Sequence, residues 1–162
     1  MSIGDGHPHL DLTRILRPGD GVGALLLLED GRYLLQRRDC ITGIFFPDHW
    51  GCFGGAIDPG ETAEQALVRE LAEETGLDAD LLPVRYFSRF DFDLSFAGCG
   101  RIFRTFFEVQ VSGDALSHAR LGEGREMRAF SAAEVLSLSP VTPYDGFGLW
   151  MHINQGRLRP AV

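Results

Sequence analysis

Residues 55–77, Gly55-Ala-Ile-Asp-Pro-Gly-Glu-Thr-Ala-Glu-Gln-Ala-Leu-Val-Arg-Glu-Leu-Ala-Glu-Glu-Thr-Gly-Leu77, join a glycine turn to a strongly acidic segment, and their reading decides the fold. Asp58-Pro59-Gly60 has the composition of a turn. Thr62 stands three residues before Gln65, the spacing of a capping box, so a helix is predicted to start near Ala63. Gly76 supplies a left-handed cap and ends that helix at about Thr75. Ala63, Ala66, Leu67 and Leu71 recur at three- and four-residue steps and form one apolar stripe that faces a core. Glu70, Glu73 and Glu74, at i, i+3 and i+4, bring three carboxylates together on another face. Like charges this close repel one another, and a divalent cation reverses the sign of that interaction. Three hard oxygen ligands on one rod suit Mg²⁺ or Mn²⁺, with water and substrate phosphate completing the shell. A solvated acidic helix face is the other reading of such a run.

The segment resembles, without a mismatch, the box of the Nudix hydrolase superfamily: Gly55, five residues, Glu61, seven residues, Arg69-Glu70-Leu71, one residue, Glu73-Glu74, one residue, Gly76-Leu77. At a usage of roughly 7% for each of seven fixed polar or glycine positions, chance agreement is on the order of one in a hundred million. The resemblance implies a Nudix-type α/β/α sandwich, an α/β fold with a mixed, largely antiparallel central sheet. It implies hydrolysis of a phosphoanhydride in a nucleoside diphosphate linked to a further group X, with Mg²⁺ or Mn²⁺ as cofactor. Glu70, Glu73 and Glu74 are the implied metal ligands, and Glu70 or Glu74 also takes the proton of the attacking water. The carbonyl of Gly55 is commonly a further ligand in the family. Glu61 is expected to orient the metal face from the helix entrance, and Arg69 to serve as a structural partner of the box carboxylates. Many members carry a proline before the glycine pair, where this chain has Phe53.

The chain has 162 residues with a formal charge of −8, and residues 58–80 hold eight acids against Arg69, so the acidity is a property of the site. Such a charge argues against binding duplex nucleic acid, whose affinity rests on Lys and Arg at phosphates. The three cysteines, Cys40, Cys52 and Cys99, have neither the even number of a disulfide framework nor zinc-site spacing, so a reducing, cytoplasmic setting is expected. The longest aliphatic run, Ala24 to Leu28, is far short of a membrane span, and nothing near Met1 has the apolar core of a signal peptide. Residues 1–20 read as an irregular lead-in and 21–162 as one domain. His7 and His9 in the lead-in are read as a solvated loop, with metal binding as the alternative.

Val22 to Glu29, the turn Asp30-Gly31 and Arg32 to Arg38 read as a hairpin at the centre of a sheet. Side chains alternate along a strand, so at most one of Arg37 and Arg38 faces the site. Arg37 is the candidate to hold substrate phosphate bidentately, with an edge-strand solubility charge as the alternative. The aromatic loop tip Phe46 to Trp50 either lies over a nucleobase or packs on the sheet, and Trp50 is its substrate-binding candidate. Gly51 to Ile57 is expected as a strand entering the acidic helix, with Gly54-Gly55 letting backbone approach a ligand. Val84 to Leu94 and Arg101 to Val111 are expected as an antiparallel ribbon, with Tyr86, Ser88, Phe90 and Phe92 on one side of the first strand. Phe90 is the candidate to stack on a base, against the alternative that these aromatics are core.

Ser112 to Gly124 reads as a loop, Met127 to Phe130 as a short strand, and Ser131 to Leu138 as a short helix. Thr142-Pro143-Tyr144-Asp145 opens a last helix that covers the sheet. Glu126 lies in a segment similar to the one that contributes a further acid to many Nudix sites, with Glu123 as its substitute and a surface charge as the alternative reading. The expected partner is a small nucleoside diphosphate derivative, and no membrane is expected. Family members are often dimers; the sequence itself leaves the oligomeric state of this chain open, a homodimer being one reading. A nucleotide-sensing or scaffold domain that binds without cleaving is the alternative function. Such descendants usually lose box acids, and all are present here.

Overall fold

The computed structural model describes residues 19–98 and 100–160, so His7, His9 and nearly all of the lead-in lie outside the described residues. The elements in order are β1 (Gly21–Leu28), β2 (Tyr33–Arg37), β3 (Trp50–Gly51), α1 (Ala63–Thr75), β4 (Val84–Asp93), β5 (Arg101–Val111), α2 (Gly113–His118), β6 (Glu126–Phe130), α3 (Ala132–Leu136) and α4 (Pro143–Leu158). The sheet runs β3-β2-β1-β5-β4, with β6 on the other side of β2. β1 and β5 are parallel and the other pairings antiparallel. No helix among the described residues is long and apolar enough to cross a membrane.

β1, Gly-Val-Gly-Ala-Leu-Leu-Leu-Leu, is apolar throughout because both of its faces are covered. Val22, Ala24 and Leu26 point toward α1 and pack with Leu67, Leu71 and Phe107. Leu25 points the other way, into a second cluster with Leu35, Trp50, Phe106 and Leu149 of α4. Helices on both faces of the sheet make an α/β/α sandwich.

The β1–β2 hairpin opens into a fork. Leu26 and Leu27 pair with Leu34 and Tyr33. Beyond that point residues 50–56 enter between the two strands: Trp50 and Gly51 pair with Arg37 and Gln36, while Ala24 N–H donates to Phe53 O at 2.8 Å and Val22 N–H to Gly55 O at 2.9 Å. The strand expected over Gly51 to Ile57 is therefore only two residues long, because the segment changes partner midway and bends at Gly54, whose φ is +127°. A Cβ at Gly54 would overlap the Val22 carbonyl, so glycine is required there.

The expected loop over Ser112 to Gly124 contains α2, capped by the Ser112 hydroxyl, which accepts from Ala115 N–H at 3.1 Å. In β4 a bulge between Tyr86 and Ser88 reverses the side-chain parity. Tyr86 consequently lies against Phe107 on the α1 face, while Phe90 and Phe92 meet Phe147 of α4 on the opposite face. At the start of α4, Thr142 makes no side-chain cap to the backbone; its hydroxyl donates to Asp145 Oδ2 at 2.7 Å.

Candidate functional site

Helix α1 begins and ends where its caps dictate. The Thr62 hydroxyl accepts from Gln65 N–H at 3.2 Å, the Gln65 side chain accepts from Thr62 N–H at 2.9 Å, and Gly76 closes the helix at φ +69°. Burial of Ala66, Leu67 and Leu71 against β1 fixes the rotation of the helix, which turns Glu70 and Glu74 toward the glycine turn held in the fork. Glu70 comes so close that a Cβ on Gly55 would fall against its carboxylate. Glu74 is 5% exposed, and both of its oxygens are engaged: Gln36 Nε2 donates to Oε1 at 2.9 Å and Gly54 N–H to Oε2 at 2.7 Å. Burial raises the Glu74 pKa to about 7 against the lowering effect of those two hydrogen bonds, with the charges of Glu70 and Glu123 adding to the rise. Glu70 is raised too, first by burial and, against Arg69, by Glu73 and Glu123.

Arg69 sits at the hub of the outer ring. Its Nε donates to Glu61 Oε1 at 2.9 Å and its Nη2 to Glu61 Oε2 at 2.8 Å, a bidentate pair. Nη2 also reaches Ala56 O at 2.9 Å, and Nη1 donates to Glu70 Oε1 at 2.7 Å and lies 3.7 Å from Glu73. The Arg69 hydrogen bonds and the Asp58 N–H hold the Glu61 carboxyl below its ordinary range. The side chain of Glu73 is 56% exposed. As they stand, no three of the described His, Cys, Asp and Glu side chains form a ready metal-binding group. Arg69 occupies the positive role between Glu70 and Glu73, and Glu74 is turned to the Gly54 amide. The Gly55 carbonyl accepts the Val22 amide in the fork.

A second loop closes on this arrangement. Arg120 N–H donates to Thr75 O at 2.9 Å and Gly122 N–H to Glu74 O at 2.7 Å, at the end of α1, and Arg125 N–H donates to Arg37 O at 2.8 Å, at the end of β2. Glu123 is held between these anchors, near enough for its charge to raise both Glu70 and Glu74. Glu126, the first candidate for a further acid, is placed differently. Glu126 pairs with Arg37 on β6, and Met127 with Gln36, so Glu126 shares the face of Arg37, away from Glu74.

The three substrate-binding candidates, Arg37, Trp50 and Phe90, lie on the α4 face of the sheet, apart from the acidic cluster. Arg37 binds Asp48 Oδ2 at 2.9 Å, and Asp48 is also bound by Arg125. Trp50 is 4% exposed and packs edge-on against Phe130 at 4.8 Å, so it offers no face to a base in this conformation. Phe90 packs on Phe106 and Phe147 beside α4. The aromatic loop packs on the fold: Phe46, at φ +48°, lies 5.9 Å from the Tyr144 ring.

Sequence reasoning missed Gln36, whose signal was an amide inside the apolar run of β2, and Arg104, a cation among the aromatics of β5. The Arg104 guanidinium is buried over the Tyr144 ring at 4.4 Å, with Nε 3.8 Å from Asp145 Oδ1, and neither of those two atoms has a hydrogen-bond partner. A Cβ on Gly21 would sit against both Arg104 Nη1 and the Gly55 carbonyl, so this pair borders the glycine turn.

A family profile, the NUDIX domain, matches residues 17–146. The chain is 38% identical over 60 residues to nucleoside triphosphatase NudI of Enterobacter sp. (strain 638), a stretch covering 37% of this chain and 42% of that protein. The match thus spans less than half of that relative's length. Among solved structures, a MutT protein from Methanosarcina mazei Go1 superposes with a TM-score of 0.68 at 21% identity, covering 90% of this chain and 100% of the other. The NUDIX domain of Shewanella oneidensis NrtR, solved with ADP ribose, gives a TM-score of 0.66 at 22% identity over 92% of this chain and 94% of that one. With a profile match over most of its length and the matching three-layer fold, this chain belongs to the NUDIX domain family.

Proposed function

We propose that this protein is a divalent-metal-dependent hydrolase that cleaves a phosphoanhydride bond in a nucleoside diphosphate linked to a further group: a nucleoside triphosphate, a nucleotide sugar or a dinucleotide. The observation that carries this reading is the convergence of Glu70 and Glu74 on the Gly54–Gly55 turn, with Glu123 brought beside them by the loop after α2. Glu70, Glu73, Glu74 and Glu123 offer hard oxygen donors; burial first raises Glu70 and Glu74, and neighbouring carboxylates add to it, Glu73 and Glu123 at Glu70 and Glu70 and Glu123 at Glu74, a surplus of negative charge that suits Mg²⁺ or Mn²⁺. Glu70, Glu73 and Glu123 would hold the cation. Glu73, exposed and 3.7 Å from Arg69, has the rotamer freedom to turn toward Glu70. When bound, the cation supplies charge neutralisation at phosphate and a coordinated water of lowered pKa.

The remaining roles belong to the chain itself. Glu74, held by Gln36 and the Gly54 amide, fixes the glycine turn against α1 and keeps one carboxylate close to neutral pH for accepting a proton. Glu61 and Arg69 brace the turn through the bidentate pair and the Ala56 carbonyl, which holds Glu70 in place. The relatives support this class: NudI is by name a nucleoside triphosphatase, and the NrtR domain holds ADP ribose. The test is a panel of nucleoside triphosphates, nucleotide sugars and dinucleotides incubated with and without Mg²⁺, with phosphorus NMR of the products. Metal-dependent release of a nucleoside monophosphate from at least one member is expected. Binding without any product, across the panel, would favour the sensing alternative.

A further inference from the structure

The loop that carries Glu123 is packed between two elements. On one side it lies against the end of α1: Gly122 N–H donates to the Glu74 carbonyl at 2.7 Å, and a Cβ on Gly122 would overlap the Glu73 carbonyl. On the other it lies against β2: Arg125 N–H donates to the Arg37 carbonyl at 2.8 Å, and a Cβ on Gly124 would crowd that carbonyl and the side chain of Gln36, which itself binds Glu74. Glu123 stands between these two glycines, so a shift of the loop moves its carboxylate relative to Glu70 and Glu74. Further fastening comes from the aromatic loop before the fork. Gly124 N–H donates to Asp39 Oδ2 at 3.3 Å, and the Arg125 guanidinium binds Asp48 Oδ1. Asp48 Oδ2 accepts from Arg37 Nη2 at 2.9 Å, and the Asp48 carbonyl accepts from Arg37 Nε at 3.4 Å. One carboxylate thus bridges two guanidinium groups, one rooted in β2 and one in the Glu123 loop. Asp48 N–H donates to the Asp39 carbonyl at 3.1 Å, and its φ of +61° is a conformation that Asp and Asn adopt more readily than most residues. Burial opposes ionisation of Asp48, but Arg37 and then Arg125 outweigh it and hold the carboxyl below its ordinary range.

We propose that Asp48 is a positioning residue: by bridging Arg37 and Arg125 it holds loop 120–125 against α1, and so sets where the Glu123 carboxylate stands relative to Glu70 and Glu74. A single exposed ion pair adds little to stability. A carboxylate shared by two guanidinium groups on different segments adds more, because the Glu123 loop cannot leave α1 without breaking a charge-assisted bond. The consequence for metal binding rests on the hydrolase reading, in which Glu123 is one of the groups that hold the cation. The fastening of the loop does not rest on it and is measurable in metal-free protein.

The test uses the full chain, with Mn²⁺ as the probe. Asp48→Asn keeps the side-chain shape and suits the left-handed backbone while removing the bridging charge. Arg125→Gln removes only the arm on the Glu123 loop; that side chain is half-exposed, so this variant carries the test should Asp48→Asn fail to fold in thermal unfolding. In metal-free protein each is expected to speed amide hydrogen exchange over residues 120–125 by at least about threefold. Each is also expected to weaken Mn²⁺ binding, measured by calorimetry, by about three- to tenfold. Arg125→Lys, which keeps a cation in place, recovers part of both losses. In a Glu123→Gln background Mn²⁺ binding is already weakened, and adding Asp48→Asn or Arg125→Gln weakens it no further. A merely structural role would weaken both backgrounds alike. Unchanged exchange in the variants, or equal losses of Mn²⁺ affinity with and without Glu123, would overturn the proposal. A wild type that binds Mn²⁺ no more tightly than the variants, while binding it measurably, overturns this proposal alone. A wild type that takes up no Mn²⁺ overturns the hydrolase reading and this proposal together.

Discussion

At the scale of single residues, the site depends on Gly54 and Glu74. Gly54 combines a φ of +127° with a Cβ position already taken by the Val22 carbonyl. Gly54→Ala is expected to lower the unfolding free energy by about 2 to 3 kcal/mol, read from urea titration. Glu74 predicts a pH dependence with a definite sign. Burial first, then Glu70 and Glu123, raise its folded pKa to about 7 from an ordinary value of 4.5, so the folded chain holds the proton more tightly than the unfolded one. Its contribution is fully present below about 4.5 and is lost as pH rises through about 7. Metal-free protein should therefore lose stability across that window, and Glu74→Gln should flatten the slope in thermal melts. A slope unchanged in the variant would show that the titrating group lies elsewhere. The pattern Glu70, Glu73, Glu74 was readable from helical spacing alone. The division of labour between a buried Glu74 and an exposed Glu73 was not, because it depends on the amides of Gln36 and Gly54, which only the fork brings near.

At the scale of elements, legibility followed locality. α1 and the β1–β2 hairpin were readable because caps, turn residues and apolar stripes lie within a few residues of one another. β3 was over-read, since its partners change from β2 to β1 partway along. Helix α4 is the least legible in composition: it buries Asp145, His152 and Asn154 and leaves Phe147 and Trp150 exposed. Its inward polar residues are tied to the sheet. The Tyr33 hydroxyl and His152 Nδ1 are 2.7 Å apart, and His152 Nε2 and Glu108 Oε2 are 3.0 Å apart. Arg85 and Gln110 donate to the same carboxylate at 2.6 and 3.0 Å. Burial alone would raise the Glu108 pKa, but hydrogen bonds from His152, Arg85 and Gln110 outweigh it and bring it to about 2, against an ordinary value of 4.5. This stability is present above about 4.5 and is lost as pH falls toward about 2. Glu108→Gln is expected to weaken α4 docking at neutral pH and to make acid unfolding over that window shallower, measured by tryptophan fluorescence. A variant with the wild-type acid profile would refute the assignment.

At the scale of the whole molecule, the sheet separates two chemistries. Its α1 face carries the glycine turn, the box acids and Gln36, and its α4 face carries Arg37, Trp50, Phe90 and Glu126. A sequence read strand by strand cannot assign those faces, because parity depends on register and on the bulge in β4. The central claim is that the acids of α1 and the turn in the fork hold a cation for phosphoanhydride cleavage. Its most direct test is Mg²⁺-dependent turnover of a cleaved panel substrate by wild type and Glu73→Gln at matched concentration, with thermal midpoints recorded alongside. Glu73 is 56% exposed and makes only a long contact with Arg69, so the variant should fold as the wild type does. Its turnover should fall by at least about a hundredfold. Equal turnover in the two proteins would contradict the account.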